Sequence, residues 1–142
     1  MPEKQLFSVL IPYLGNLNDL FISIESCLKI SIVEKIIVFD NQKKENISIE
    51  IDKKFMNNYK IIIEGIECKN RIYFFKDLIK KINSKFISYI LPGEKYIHSG
   101  FNELLINKLL DNELRIILCN TLYINSDDNY LYKFSSVNLK NG

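Results

Sequence analysis

The rhythm of the apolar residues constrains the fold most tightly. They arrive as short, nearly continuous runs, separated by stretches that are apolar only at every third or fourth position. Leu6-Phe7-Ser8-Val9-Leu10-Ile11 is the first run and stops at Pro12, and Ile36-Ile37-Val38-Phe39 is the second, stopping at Asp40-Asn41-Gln42. Tyr59 to Ile63, Phe86 to Leu91 and Ile116-Ile117-Leu118 repeat the pattern, the fourth run being cut off by Pro92-Gly93. A strand covered on both faces has no solvent side to fill with polar residues, so it reads as such a run. Between the first two, Leu17, Leu20, Phe21, Ile24, Cys27 and Leu28 mark one face of a helix that Asn16 or Asn18 is placed to cap. Ile72, Phe75, Ile79 and Ile82 mark a second helix. Phe101, Leu104, Leu105 and Leu109 mark a third, starting at Ser99 or Gly100. Residues 43–58 are polar and weakly periodic, with room for a short helix around Ile51, Phe55 and Met56. Thr121 to Ile124 and Tyr130 to Phe134 flank the turn-rich Asn125-Ser126-Asp127-Asp128-Asn129, which gives that segment hairpin character.

Strands alternating with crossover helices predict an α/β fold: a mostly parallel sheet with helices on both faces and a C-terminal hairpin-like segment, read as one domain over 1–142. The strands near Leu6, Ile36 and Phe86 are expected to be neighbours. Ligands of such sheets sit outside the carboxyl ends of the strands, at a topological switch point. The residues that follow those ends are Pro12-Tyr13, Asp40-Asn41 and Pro92-Gly93-Glu94-Lys95, so function is expected there, with Asp40 and Glu94 on one edge.

Composition narrows the class of ligand. The 142 residues are 47% hydrophobic and 25% charged, which suits a folded core and argues against global disorder. With 19 basic and 17 acidic residues well mixed, the net charge of +2 offers no basic stripe for nucleic acid, and Lys43-Lys44, Lys53-Lys54 and Lys80-Lys81 read as solvated surface. Met1-Pro2-Glu3-Lys4-Gln5 lacks the order of a signal peptide, and no run reaches the roughly 18 apolar residues of a transmembrane span. Cys27, Cys68 and Cys119 are odd in number and far apart, as expected of reduced thiols in a cytoplasmic protein rather than of disulfides or zinc ligands.

The edge residues, taken in order, resemble the family-2 glycosyltransferases of the GT-A fold, in their N-terminal, nucleotide-sugar-binding part. Phe7-Ser8-Val9-Leu10-Ile11-Pro12-Tyr13 resembles that family's first strand, and Ser23-Ile24-Glu25-Ser26-Cys27-Leu28 its first helix. Ile36-Ile37-Val38-Phe39-Asp40-Asn41 resembles its second strand. Phe86-Ile87-Ser88-Tyr89-Ile90-Leu91 resembles the approach to its Asp-x-Asp metal motif, and His98-Ser99-Gly100-Phe101 the stretch that follows. Each motif alone is common in α/β proteins; the ordered set carries the resemblance.

The resemblance implies transfer of a sugar from a nucleotide-sugar, a uridine diphosphate sugar foremost, to a saccharide or lipid-linked acceptor in cell-surface polysaccharide synthesis. It implies that Asp40, with Asn41, accepts from the base or ribose, and that Pro12 and Tyr13 form a floor under the nucleotide. The plainer reading of Asp40 is a turn residue bonding its own backbone. The metal motif is degenerate. Pro92 stands where the first carboxylate belongs, and Glu94 holds the second position, leaving Gly93, Glu94 and Lys95 as the diphosphate region. A manganese or magnesium ion would then be held weakly through Glu94, or Lys95 would offset diphosphate charge instead. Set against both is a proline-glycine turn with a solvated Glu-Lys pair. His98, the only histidine, reads as a residue fixing the turn before a helix, and Asp127 and Asp128 as turn residues. The family's catalytic base and acceptor-binding elements would lie beyond the hairpin, so these residues correspond to its donor-binding part. The alternative is a catalytically inactive GT-A-like module with a binding or assembly role. A receiver-like phosphorylation domain with Asp40 as acceptor is disfavoured, since no acidic pair follows the first strand.

Overall fold

The computed structural model describes residues 7–40, 45–65, 71–97, 107, 121–124 and 130–134. The chain divides into two compact units, Met1–Phe101 and Asn102–Gly142. In the first, the order is β1 (Phe7–Pro12), α1 (Leu17–Leu28), β2 (Val33–Asp40), α2 (Glu45–Phe55), β3 (Ile61–Gly65), α3 (Arg71–Lys80) and β4 (Phe86–Tyr89). In the second, β5 (Thr121–Ile124) pairs antiparallel with β6 (Tyr130–Phe134), at the positions the hairpin pattern predicts.

The sheet of the first unit has four strands in the order β3-β2-β1-β4, and all its pairings are parallel. Leu10 stands beside Ile37 on one side and Tyr89 on the other. The strands near Leu6, Ile36 and Phe86 are therefore neighbours, and their carboxyl ends share an edge. The strand order explains the two layers of helix. From β1 the chain steps outward to β2 and β3, then returns across the sheet to place β4 beyond β1. Right-handed crossovers put α1 and α2 on one face and α3 on the other.

The burial pattern follows from this. Leu10, Ile37 and Phe39 cluster with Leu78 of α3, with Ile62 and Ile82 packed alongside. The alternate residues Val9, Ile11, Ile36 and Val38 are buried too, as are Leu20, Ile24 and Cys27 of α1 and Ile47 and Ile51 of α2. Each such side chain contributes about 1.5–3 kcal/mol when fully buried. This is why β1 and β2 carry no polar alternation.

Boundaries differ from the sequence reading in instructive places. The third strand begins at Ile61, and Tyr59 is exposed. Asn58 turns the chain there, its Oδ1 accepting from Lys60 N. Met56 lies past the end of α2 with φ 51° and is exposed, so it forms no part of that helix's inner face. Among the described side chains of α3 Leu78 is buried, while Ile79 is 49% exposed. The line through Leu78 and Ile82 faces the sheet, and Ile79 lies a third of a turn away. The helix expected from Ser99 or Gly100 and the strand at 116–118 lie outside the described residues.

Candidate functional site

The reversal of strand order between β1 and β4 leaves a switch point at their carboxyl ends. On the β1 side, Pro12 pairs with Phe39 as the last ladder residue, and Tyr13 N donates to Phe39 O at 2.8 Å. The sheet thus holds the backbone one residue past the strand. Gly15, at φ 95°, then turns the chain into α1. Asn16 caps the helix: its Oδ1 accepts from Asn18 N at 3.0 Å and Asp19 N at 3.3 Å.

On the β4 side, Ile90 N still donates to Leu10 O, and Leu91-Pro92-Gly93-Glu94 follows as a tight turn. Glu94 N donates to Leu91 O at 3.0 Å, and Gly93 takes φ 88°. Proline in the second position and a glycine at positive φ in the third make this a type II turn. The Glu94 carboxylate folds back over it, Oε2 accepting from Leu91 N at 2.7 Å.

This turn is tied to α1. Gly93 N donates to Asp19 O at 2.9 Å. The Ser23 hydroxyl lies 2.8 Å from Glu94 O and 3.2 Å from Leu91 O, and donates to these carbonyls. Tyr96 N donates to Ser26 Oγ at 3.2 Å, and Ser26 Oγ in turn donates to Ser23 O at 3.1 Å. Ser88 and Tyr96 share a hydroxyl–hydroxyl bond. Asp19, Ser23 and Ser26 are spaced four and three apart, so they line one side of the helix.

The structure therefore brings Pro12, Tyr13, Gly93, Glu94 and Lys95 to the two sides of the switch point. Asp40 ends β2, on the other flank of β1, opposite Gly65 of β3. It is 4% exposed. Asn41 and His98 lie outside the described residues, as do Asp127, Asp128, Cys68 and Cys119. Gly93, Glu94 and Lys95 are exposed.

Pro92 has no side-chain ligand, and one oxygen of Glu94 already holds the Leu91 N–H. Among the described residues no three His, Cys, Asp or Glu side chains gather as metal ligands. A hard cation of this type takes six or more oxygens.

Sequence reasoning missed three features here. One is the Asp19-Ser23-Ser26 side of α1; its signal was Ser23, a polar residue among apolar inner positions and fully buried in the structure. The second is the carboxylate of Asp19, whose Oδ1 lies 3.8 Å from where a Gly93 Cβ would stand. The third is an open cleft of about 340 Å³ between Tyr13, Leu17 and the residues Ile47, Ile49, Glu50 and Lys53 of α2. Within it Lys53 and Glu50 pair at 2.8 Å. On the inner side of α1, burial pushes the Cys27 thiol up to about 12, against a smaller lowering by its hydrogen bond with Ser26. That thiol is inert packing.

Comparison of the sequence with known protein families and with curated proteins found no match. Among the described residues no helix is long and apolar enough to cross a membrane.

Proposed function

We propose that the chain is a Rossmann-like, GT-A-type donor-binding domain that holds a nucleotide-sugar, a uridine diphosphate sugar foremost, at the carboxyl edge of its sheet. Within a working glycosyltransferase it would deliver the sugar to a saccharide or lipid-linked acceptor. One observation supports this most. The parallel order β3-β2-β1-β4 sets Pro12-Tyr13 and the turn after β4 on either side of a switch point, with Asp40 ending the adjacent strand. This is the edge where parallel α/β sheets take nucleotides.

In this reading Tyr13 offers a half-buried ring and Asp40 a carboxylate that accepts from a base N–H or ribose hydroxyl. Exposed Lys95 supplies positive charge to a diphosphate beside the turn. The burial of Asp40 lowers the affinity expected, because a ligand reaches its carboxylate only after displacing what covers it. A uridine diphosphate should therefore bind in the high-micromolar to millimolar range, about −4 to −6 kcal/mol.

A second reading, an inactive binding or assembly module, draws support from Glu94. Its carboxylate caps its own turn, a structural task that needs no metal or donor.

NMR titration of the labelled protein separates the two. Shifts at Tyr13 and at 90–96 with uridine diphosphate support the donor site. Silence across uridine, guanosine, cytidine and thymidine diphosphates rejects it in favour of the module. Asp40→Asn, which keeps shape and removes charge, should weaken binding by about 1–2 kcal/mol, roughly five- to thirtyfold. Unchanged affinity removes Asp40 from the site.

A further inference from the structure

We propose that Ser23 is the positioning residue of the turn that follows β4: a buried hydroxyl on α1 that sets the conformation of 91–96 without reaching solvent itself. Three observations carry it. Ser23 is fully buried, yet it is polar in a face otherwise made of Leu20, Ile24 and Cys27. Its one hydroxyl proton stands between two carbonyls, Leu91 O and Glu94 O, which are the first and last residues of the type II turn. The same side of α1 makes two further bonds to the segment, Gly93 N to Asp19 O and Tyr96 N to Ser26 Oγ.

An apolar residue at 23 would pack as well against Ile24 and its neighbours. It would take the hydroxyl donor away from Glu94 O and leave Leu91 O with the turn's own Glu94 N–H alone. A part-buried acceptor that loses its donor is disfavoured, so the turn would shift to bring Glu94 O to water. The hydroxyl therefore selects the turn geometry, and α1 carries that geometry from the β1 side of the switch point to the β4 side. If the edge is a donor site, as proposed above, diphosphate affinity depends on Ser23 although Ser23 cannot touch a ligand.

The test is amide hydrogen exchange by NMR on Ser23→Ala, with Ser26→Ala as a second variant. In Ser23→Ala, exchange at Gly93, Glu94 and Tyr96 should speed by about five- to tenfold, the loss of one net hydrogen bond. Val38 and Ile37 in the central strand should keep their wild-type rates. In Ser26→Ala only Tyr96 should respond strongly. Rates within twofold of wild type across 91–96, or a uniform rise that includes Val38 and Ile37, overturn the proposal. Should Ser23→Ala not fold, a selective response in Ser26→Ala supports the polar side of α1 and its absence overturns it. A ligand arm distinguishes this from the donor reading. Ser23→Ala should weaken uridine diphosphate by a similar factor and leave uridine unchanged. If wild type binds neither, the donor reading fails while the exchange result still decides the role of Ser23.

Discussion

Gly93→Ala isolates the turn that closes the switch point, because its effect can be worked from the local geometry. Gly93 sits at φ 88°, a conformation that L side chains rarely adopt. Placing an L residue in the left-handed region costs roughly 1–2 kcal/mol. Sterics add nothing: a Cβ built at Gly93 meets Asp19 at 3.7 and 3.8 Å, ordinary van der Waals contact. Alanine also restricts the unfolded chain, which returns about 0.4–1 kcal/mol to the folded state. The net expectation is a loss of about 0–1.6 kcal/mol, with Gly93→Asn milder because asparagine tolerates positive φ better. Urea denaturation with unchanged m-value reads this as a lower midpoint. A stabilising Gly93→Ala would mean the turn is not type II. A loss beyond about 3 kcal/mol would mean the added carbon collides with something, contrary to the open contacts at Asp19.

The remaining expectations concern the thiol and the carboxylate. The Cys27 thiol is raised from 9.0 to about 12 by burial, so it stays protonated in the folded protein. Its contribution to stability is fully present below pH 9 and is lost as pH rises toward 12, by up to ~1.4 kcal/mol per unit. Comparison with Cys27→Ala over pH 9 to 11 should remove that part of the slope, and a thiol reagent should modify Cys27 only after unfolding; rapid labelling of Cys27 in the native state would refute its burial. Manganese titrated calorimetrically into the free protein should bind weakly, at millimolar concentration or above, since Glu94 offers one partly engaged carboxylate; tight binding would place a metal site that the described residues do not reveal.

What was legible in the sequence was whatever burial on both faces writes into it. Val9, Leu10 and Ile11, and Ile36 to Phe39, had to be apolar without alternation because α1 lies over one side and α3 over the other, so both strands could be read directly. Asn16 could be named as a cap because the first turn of a helix has free N–H groups that few side chains satisfy. The edges were harder. Tyr59 continues the apolar run into β3, but Asn58 ends the preceding turn with its own side chain, and periodicity does not register such a bond. Ile79 and Leu78 are equally apolar, and only the direction from which α3 approaches Leu10 and Phe39 decides which is buried.

At the edge, sequence order pointed to the turn after β4, and the structure adds the local bonds that its side chains make. Pro92-Gly93 announces a turn, and the turn is there. The residues that define its geometry, Asp19, Ser23 and Ser26, lie some seventy positions earlier, on a helix read only for its apolar face. A serine in an amphipathic pattern is normally scored as a tolerated small residue. It becomes informative once three-dimensional packing shows two turn carbonyls converging on its hydroxyl. Glu94 illustrates the converse. The resemblance casts it as a ligand for a cation, yet a carboxylate three residues after an exposed strand-end N–H can close on that N–H locally, and in the structure it does so at 2.7 Å. A local bond of this kind competes with any ligand for the same oxygen. A diphosphate at this edge would therefore have to be held chiefly by groups other than Glu94, and the positive charge of Lys95, on the exposed side of the turn, would suit it.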